Sequence, residues 1–226
     1  MSNPADLLNY LEWDARNWAV ALDFWLAKST QRLSECKVLE IGSNRGGLSL
    51  WLASQGARVV HSDSNALKEE AVERHQAAGV SHLIEYRTID ARDIPYTGHF
   101  DIIVFKSVLG AVGDKDAQAQ AVRQMHKALR KGGELFFAEN AAASPMHMFL
   151  RRKMVEWGRV WRYVTIGEMK EFLSPFSQTE LRSIGFAGAL GRTEWQRNRL
   201  ALADKYLFEH IVPDSWKYII AGVARK

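Results

Sequence analysis

Apolar residues recur along this chain in two alternating rhythms. Leu7, Leu8, Leu11, Trp18, Leu22, Trp25 and Leu26 stand at helical spacing up to about Ala27, behind an Asn3-Pro4 pair suited to a helix start. From there the pattern predicts a strand over 37–41, a helix over 46–55, a strand over 57–62, a helix over 65–78 and a strand over 83–89. The run from Phe100 to Phe105 predicts a fourth strand. A helix starting at Asp114 then places Ala117, Ala121, Met125, Ala128 and Leu129 on one face, with Gly132-Gly133 as its stop. A fifth strand over 134–138 follows. Strands separated by helices call for parallel pairing with helices on both faces, so the expected class is α/β with a doubly wound sheet.

After residue 144 the alternation breaks. An aromatic and basic insertion over 144–177 precedes a short helix expected near Gln178 to Ser183, a strand near 186–191, a second helical insertion over 193–210 and a terminal strand within 216–225. With 226 residues and 47% apolar content, the chain suits one α/β domain with insertions. Its expected parts are an N-terminal helical cap (1–35), a core (36–140), a lid insertion (141–177) and a stretch that completes the sheet (178–226). A single cysteine, Cys36, excludes an internal disulfide, and no signal peptide or apolar run of membrane-spanning length stands out, so a cytoplasmic location is expected.

The segment Val38-Leu39-Glu40-Ile41-Gly42-Ser43-Asn44-Arg45-Gly46-Gly47, followed by Val59-Val60-His61-Ser62-Asp63, reads as a buried strand, a glycine turn, a helix start and a second strand ending in a carboxylate. That order suits a nucleoside cofactor, because an acid about 20 positions after the turn can accept hydrogen bonds from both ribose hydroxyls. The spacing G-x-x-x-G-G departs from the dinucleotide fingerprint G-x-G-x-x-G, which disfavours a nicotinamide-dependent oxidoreductase. Together with Asp63, the segment resembles motif I and the acidic loop of the class I methyltransferases that use S-adenosylmethionine. In their usual E-x-G-x-G-x-G form a glycine stands where this chain has Asn44, a residue that enters left-handed backbone readily. Ile89-Asp90-Ala91 with Ile94-Pro95, the run from Phe100 to Leu109, and Leu129-Arg130-Lys131-Gly132-Gly133-Glu134-Leu135 extend the resemblance over roughly 36–140.

The resemblance implies a seven-stranded, mostly parallel sheet of order 3-2-1-4-5-7-6 with the last strand antiparallel, and S-adenosyl-L-methionine as cofactor. It implies cofactor contacts at Glu40, Gly42, Ser43, Asn44 and Gly46, with Gly42, Ser43 and Gly46 offering main-chain N–H groups to the methionine carboxylate. Asp63 and Ser64 are expected at the ribose, Asp90 and Ala91 at the adenine, and Lys106 and Ser107 beside the methionine portion. Tyr10, Trp13 and Trp18 are expected in the core, with a place over the cofactor as the alternative.

Methyl transfer is an in-line displacement, so the protein mainly aligns the atoms and excludes water. A hydroxyl acceptor needs a base, and His147, just past the fifth strand, is the candidate, with Glu139 beside Asn140 orienting the acceptor. An acid-asparagine pair there is similar to metal-dependent catechol methyltransferases, but Val104-Phe105-Lys106-Ser107 lacks their matching aspartate, so no metal is expected. The net charge of +4 is modest, yet residues 145–200 hold ten Lys and Arg against five acids. Three uses compete for the basic-aromatic run 146–163: binding an anionic or glycan-type acceptor, peripheral contact with anionic lipid, and single-stranded nucleic acid, which the modest charge disfavours. Packing beneath the lid is the plain alternative. A methyltransferase acting on oxygen of a small-molecule or glycan-type acceptor is therefore expected; a non-catalytic binding module of the same fold is the alternative from another class.

Overall fold

Near-continuous apolar runs make strands that must be covered on both faces, and the chain folds accordingly. The computed structural model describes residues 4–154 and 161–226; the Asn3 cap and residues 155–160 of the basic-aromatic run lie outside the described residues. In chain order the strands are β1 (Lys37–Ile41), β2 (Arg58–Asp63), β3 (Ile84–Thr88), β4 (Phe100–Lys106), β5 (Leu129–Asn140), β6 (Gln178–Ile184) and β7 (Ile219–Arg225). They form one sheet of order β3-β2-β1-β4-β5-β7-β6, parallel from β3 to β5, with β7 antiparallel to both β5 and β6. The expected topology is the observed one.

Helices cover each face. On one side lie α1 (Pro4–Leu11), α2 (Ala15–Lys28) and α3 (Gly47–Ser54), whose Leu11, Trp18, Trp25 and Trp51 pack on Val38, Val104 and Phe136. On the other, α5 (Leu109–Val112), α6 (Lys115–Ala128) and α8 (Ile166–Phe172) bury Leu109, Met125 and Phe172 against Leu39, Ile103 and Phe137. Asp114 caps α6 as its position suggests, its carboxylate accepting from Ala117 N–H at 2.9 Å. The helix α4 (Glu69–Ala77) links β2 to β3, while α7 (Pro145–Met154), α9 (Glu194–Ala203) and α10 (Glu209–Ile211) belong to the insertions, with a π-helical turn at Asp204–Phe208.

Four expectations change. The N-terminal helix is two helices, because Glu12 (φ 69°) and Asp14 (φ 46°) take left-handed backbone. The Glu194 carboxylate accepts from Asp14 N–H and Ala15 N–H, each at 2.9 Å, so a residue 179 positions away caps α2. Gly132-Gly133 do not stop α6, which ends at Ala128; they lie inside the long β5, where Gly132 N–H donates to the Lys226 carbonyl. The segment from Gln178 to Ser183, expected as a helix, is edge strand β6, held along its length by β7. The strand expected near 186–191 is instead a 3-10 turn at Gly188–Leu190, whose preceding amides the Asp204 carboxylate collects.

Candidate functional site

The β1–α3 turn opens the site. Gly42 (φ 67°) has left-handed backbone, and a Cβ there would lie 2.5 Å from Val108 Cγ2, so glycine is required both by conformation and by the approach of the β4–α5 loop. Asn44 fills the position of the missing glycine with φ 47°, as its residue type allows. The turn is knotted to β2: Ser43 N–H and Oγ both donate to the Ser62 carbonyl (2.9 and 3.0 Å), and Ser62 Oγ donates to the Glu40 carbonyl (2.6 Å).

Asp63 ends β2 with its carboxylate aimed back at this turn. It accepts from Asn44 N–H at 3.1 Å and Asn65 N–H at 2.9 Å, two bonds that fix its direction. Beyond β3, Asp90 is gripped by Arg92 through the backbone N–H (2.8 Å) and the guanidinium (2.7 Å), and this partner holds its carboxyl below the usual range. Arg92 lines the wall with Asp90 and was not singled out by sequence reasoning.

These groups share a cavity of about 510 Å³ between the glycine turn, the carboxyl ends of β2 and β4, and the α1–α2 junction. Its wall includes Glu40, Gly42, Ser43, Asn44, Asp63, Ser64, Asp90, Ala91, Lys106 and Ser107, ten of the eleven positions expected at the cofactor. Gly46 is the exception: its N–H donates to the Ser43 carbonyl at 2.7 Å and Gly47 lines the wall instead. The N-terminal aromatics divide, with Tyr10 and Trp13 on the wall and Trp18 wholly in the core. Glu12 and Trp161 also reach the cavity. No sequence motif marks them, since they arrive through the break after α1 and through the segment leading into α8.

His147, expected as the base, and Glu139, expected to orient the acceptor, do not line this cavity. His147 is 2% exposed and does not line the cavity; its Nδ1 lies 2.7 Å from Ser144 Oγ and its Nε2 2.8 Å from the Phe186 carbonyl. Both ring nitrogens are engaged, and burial pushes its pKa down. The geometry therefore opposes a role as the base. Glu139 is fully buried, and its carboxylate accepts from the N–H groups of Val108 (2.8 Å) and Leu109 (2.7 Å), which shapes the β4–α5 loop. Asn140 Nδ2 reaches Ser107 Oγ, whose residue is held at φ 58°.

Three buried carboxyls carry raised pKa values, each mainly through burial: Glu40 to about 8, Glu139 to about 7 and Asp14 to about 7. Between the ordinary value and the raised one the folded protein holds a proton that the unfolded chain has released, so stability falls as pH rises through that window. His61, pushed down to about 4 by burial, acts with the opposite sign, but only below its ordinary value of 6.5. Thermal melts should thus show lower stability at pH 8.5 than at pH 6.5, by on the order of 2 kcal/mol, with Glu139→Gln flattening the slope. A melting temperature that rises over this interval would mean that the carboxyls are ionised in the fold.

A family model described as a methyltransferase domain matches residues 39–137. A ubiquinone biosynthesis O-methyltransferase of Sinorhizobium fredii is 30% identical over 134 residues, which are 58% of this chain and 52% of that protein. The chain thus spans about half the length of the curated relatives it matches. Among solved structures, phosphoethanolamine N-methyltransferase 2 of Haemonchus contortus in complex with S-adenosyl-L-methionine superposes with a TM-score of 0.67 at 15% identity, covering 92% of this chain and 52% of that one. A SAM-dependent methyltransferase from Methanosarcina mazei gives 0.64 at 16% identity over 89% and 96%. At these identities the two structures speak for the fold.

Proposed function

We propose that this chain, which belongs to the class I S-adenosylmethionine-dependent methyltransferases, moves a methyl group to an oxygen of a small-molecule or glycan-type acceptor. The observation that carries this reading is the shared cavity: a directed carboxylate at the end of β2, a glycine turn and the Asp90–Ala91 loop stand around one space. Its volume of about 510 Å³ lies within the range of small-ligand sites. Oxygen is favoured because the relatives matched over the cofactor-binding half are O-methyltransferases.

The residues present fit the cofactor. Asp63 is suited to the ribose diol, Ile89 and Ala91 to a flat adenine face, and the Asp90–Arg92 pair to its polar edge. When bound, S-adenosylmethionine supplies an electrophilic methyl on a sulfonium, and this chain's residues hold that end against Gly42 and Ser43. Tyr10, Trp13 and Trp161 exclude water from above, which favours a step in which charge is neutralised. Glu139 positions the β4–α5 loop under the acceptor, and we give His147 a packing role. In this division Tyr10, Glu12 and Trp13 of the 1–35 cap and Trp161 of the 141–177 insertion close the cavity of the 36–140 core, while 178–226 supplies the last two strands of the sheet.

The test is transfer of labelled methyl from S-adenosylmethionine to a panel of phenols, carboxylates, sugars and amines. Label on an oxygen acceptor supports the reading. Label confined to amines removes the oxygen assignment, and no transfer by a chain that binds the cofactor leaves a non-catalytic binding module.

A further inference from the structure

One lysine stands in the cavity wall. Lys106 ends β4 beside the glycine turn, with its ammonium 4.9 Å from the centroid of Trp18; among the described residues it forms neither a hydrogen bond nor an ion pair. An ammonium carries three donors, and on this half-buried side chain they are open to a ligand that enters the cavity. Burial pushes the Lys106 pKa down, while carboxylates push it back, Glu12 first and then Glu40, Glu139 and Asp14. Glu12 lines the same cavity and makes no side-chain hydrogen bond or ion pair among the described residues. Its left-handed backbone (φ 69°) is a conformation that non-glycine residues rarely hold without a compensating reason.

Two of the three turn amides expected at the carboxylate, those of Ser43 and Gly46, are already engaged within the turn. Ser43 N–H is taken by the Ser62 carbonyl (2.9 Å), Asn44 N–H by Asp63 Oδ2 (3.1 Å) and Gly46 N–H by the Ser43 carbonyl (2.7 Å). A ligand carboxylate at this end of the cavity meets these engaged amides and an ammonium that makes no hydrogen bond or ion pair among the described residues. Resting on the methyltransferase reading above, we propose that Lys106 and Glu12 form a receptor for the zwitterionic amino-acid end of the cofactor: Lys106 takes the α-carboxylate and Glu12 the α-ammonium. Cation and anion stand on one wall more than 4.0 Å apart, since no ion pair joins them, and a zwitterion is the ligand that satisfies both.

Three thioether ligands read this by calorimetry without turnover: S-adenosylhomocysteine has both charged groups, S-adenosyl-3-thiopropylamine has only the ammonium, and 5′-methylthioadenosine has neither. Lys106→Met should weaken S-adenosylhomocysteine about 10- to 100-fold, the loss of one charge-assisted hydrogen bond, and leave the other two ligands within about twofold. Glu12→Gln should weaken both ammonium-bearing ligands and spare 5′-methylthioadenosine, and Lys106→Arg should recover part of the loss. Equal weakening of all three ligands by Lys106→Met would make the lysine structural. Unchanged S-adenosylhomocysteine affinity with a raised acceptor KM would assign it to the acceptor instead. Either result overturns the proposal. A wild-type chain that binds 5′-methylthioadenosine as tightly as S-adenosylhomocysteine also overturns it but leaves the functional reading standing; binding of none of the three sinks both.

Discussion

Asp63→Ala is expected to weaken S-adenosylmethionine binding by about 100-fold or more while the protein remains folded. The two hydroxyls of a ribose would each donate a charge-assisted hydrogen bond to this carboxylate, together worth about 3–6 kcal/mol, of which about 2.7 kcal/mol already corresponds to two orders of magnitude. The carboxylate also braces the turn through Asn44 N–H, so alanine removes a structural contact along with the ligand contact. Asp63→Asn separates the two, because its side-chain oxygen can still accept from Asn44 while the charge is gone. It should lose about 10-fold in affinity and less in melting temperature than alanine, since its one oxygen keeps Asn44 N–H but gives up Asn65 N–H. Unchanged calorimetric affinity in the alanine variant would remove Asp63 from the site.

That prediction was already available from the sequence, and the reason is local. A parallel strand, a glycine turn and a second strand leave few places for an acid at the end of β2 to stand, so the separation of Gly42 and Asp63 places both at one crevice. The same holds for Gly42, Asn44, Asp90 and Lys106, each fixed within a few residues of a strand end. The features that no local pattern marks depend on distant partners. The α1–α2 break needs Glu12 and Asp14 in left-handed backbone, stabilised by Glu194 from α9 and by Tyr218 of the loop into β7, whose hydroxyl donates to Asp14. No helical periodicity before residue 30 can announce a cap from residue 194, and so Glu12 was missing from the expected site.

Strand β6 was obscured by composition. Gln178-Thr179-Glu180-Leu181-Arg182-Ser183-Ile184 contains several good helix formers, yet pairing with β7 decides its state, since tertiary contacts override weak propensities. Gly132-Gly133 misled in a related way. The pair reads as a helix stop, but α6 has already ended at Ala128, and the glycines sit inside β5 where Gly133 comes close to the carbonyls of Phe100 and Asp101. His147 followed the logic of residue type: a histidine beyond a sheet's carboxyl edge is a reasonable base until its neighbours are known. Ser144 and the Phe186 carbonyl, the latter from a segment read as strand, occupy both nitrogens.

Trp25→Ala should cost about 3–5 kcal/mol of stability, a large share of the roughly 5–15 kcal/mol that holds a domain together. Trp25 is wholly buried between α2 and the sheet, with its ring centroid 5.8 Å from Phe136 in stacked orientation and 6.2 Å from Trp51 of α3. Its Nε1–H donates to the Phe137 carbonyl at 3.1 Å, so the side chain bonds to the middle of β5 as well as packing on it. Removing it opens a cavity in the layer shared by α2, α3, β4 and β5 and leaves that carbonyl short of a donor. Because α2 begins at the junction that brings Glu12 and Trp13 to the cofactor cavity, a loosened α2 should also weaken S-adenosylhomocysteine binding. Trp25→Phe keeps most of the apolar contact and loses the hydrogen bond, so about 1–2 kcal/mol is expected there. Urea unfolding measures both. A loss below about 1 kcal/mol for Trp25→Ala would show that α2 is anchored elsewhere, because partial collapse does not usually recover so large a void.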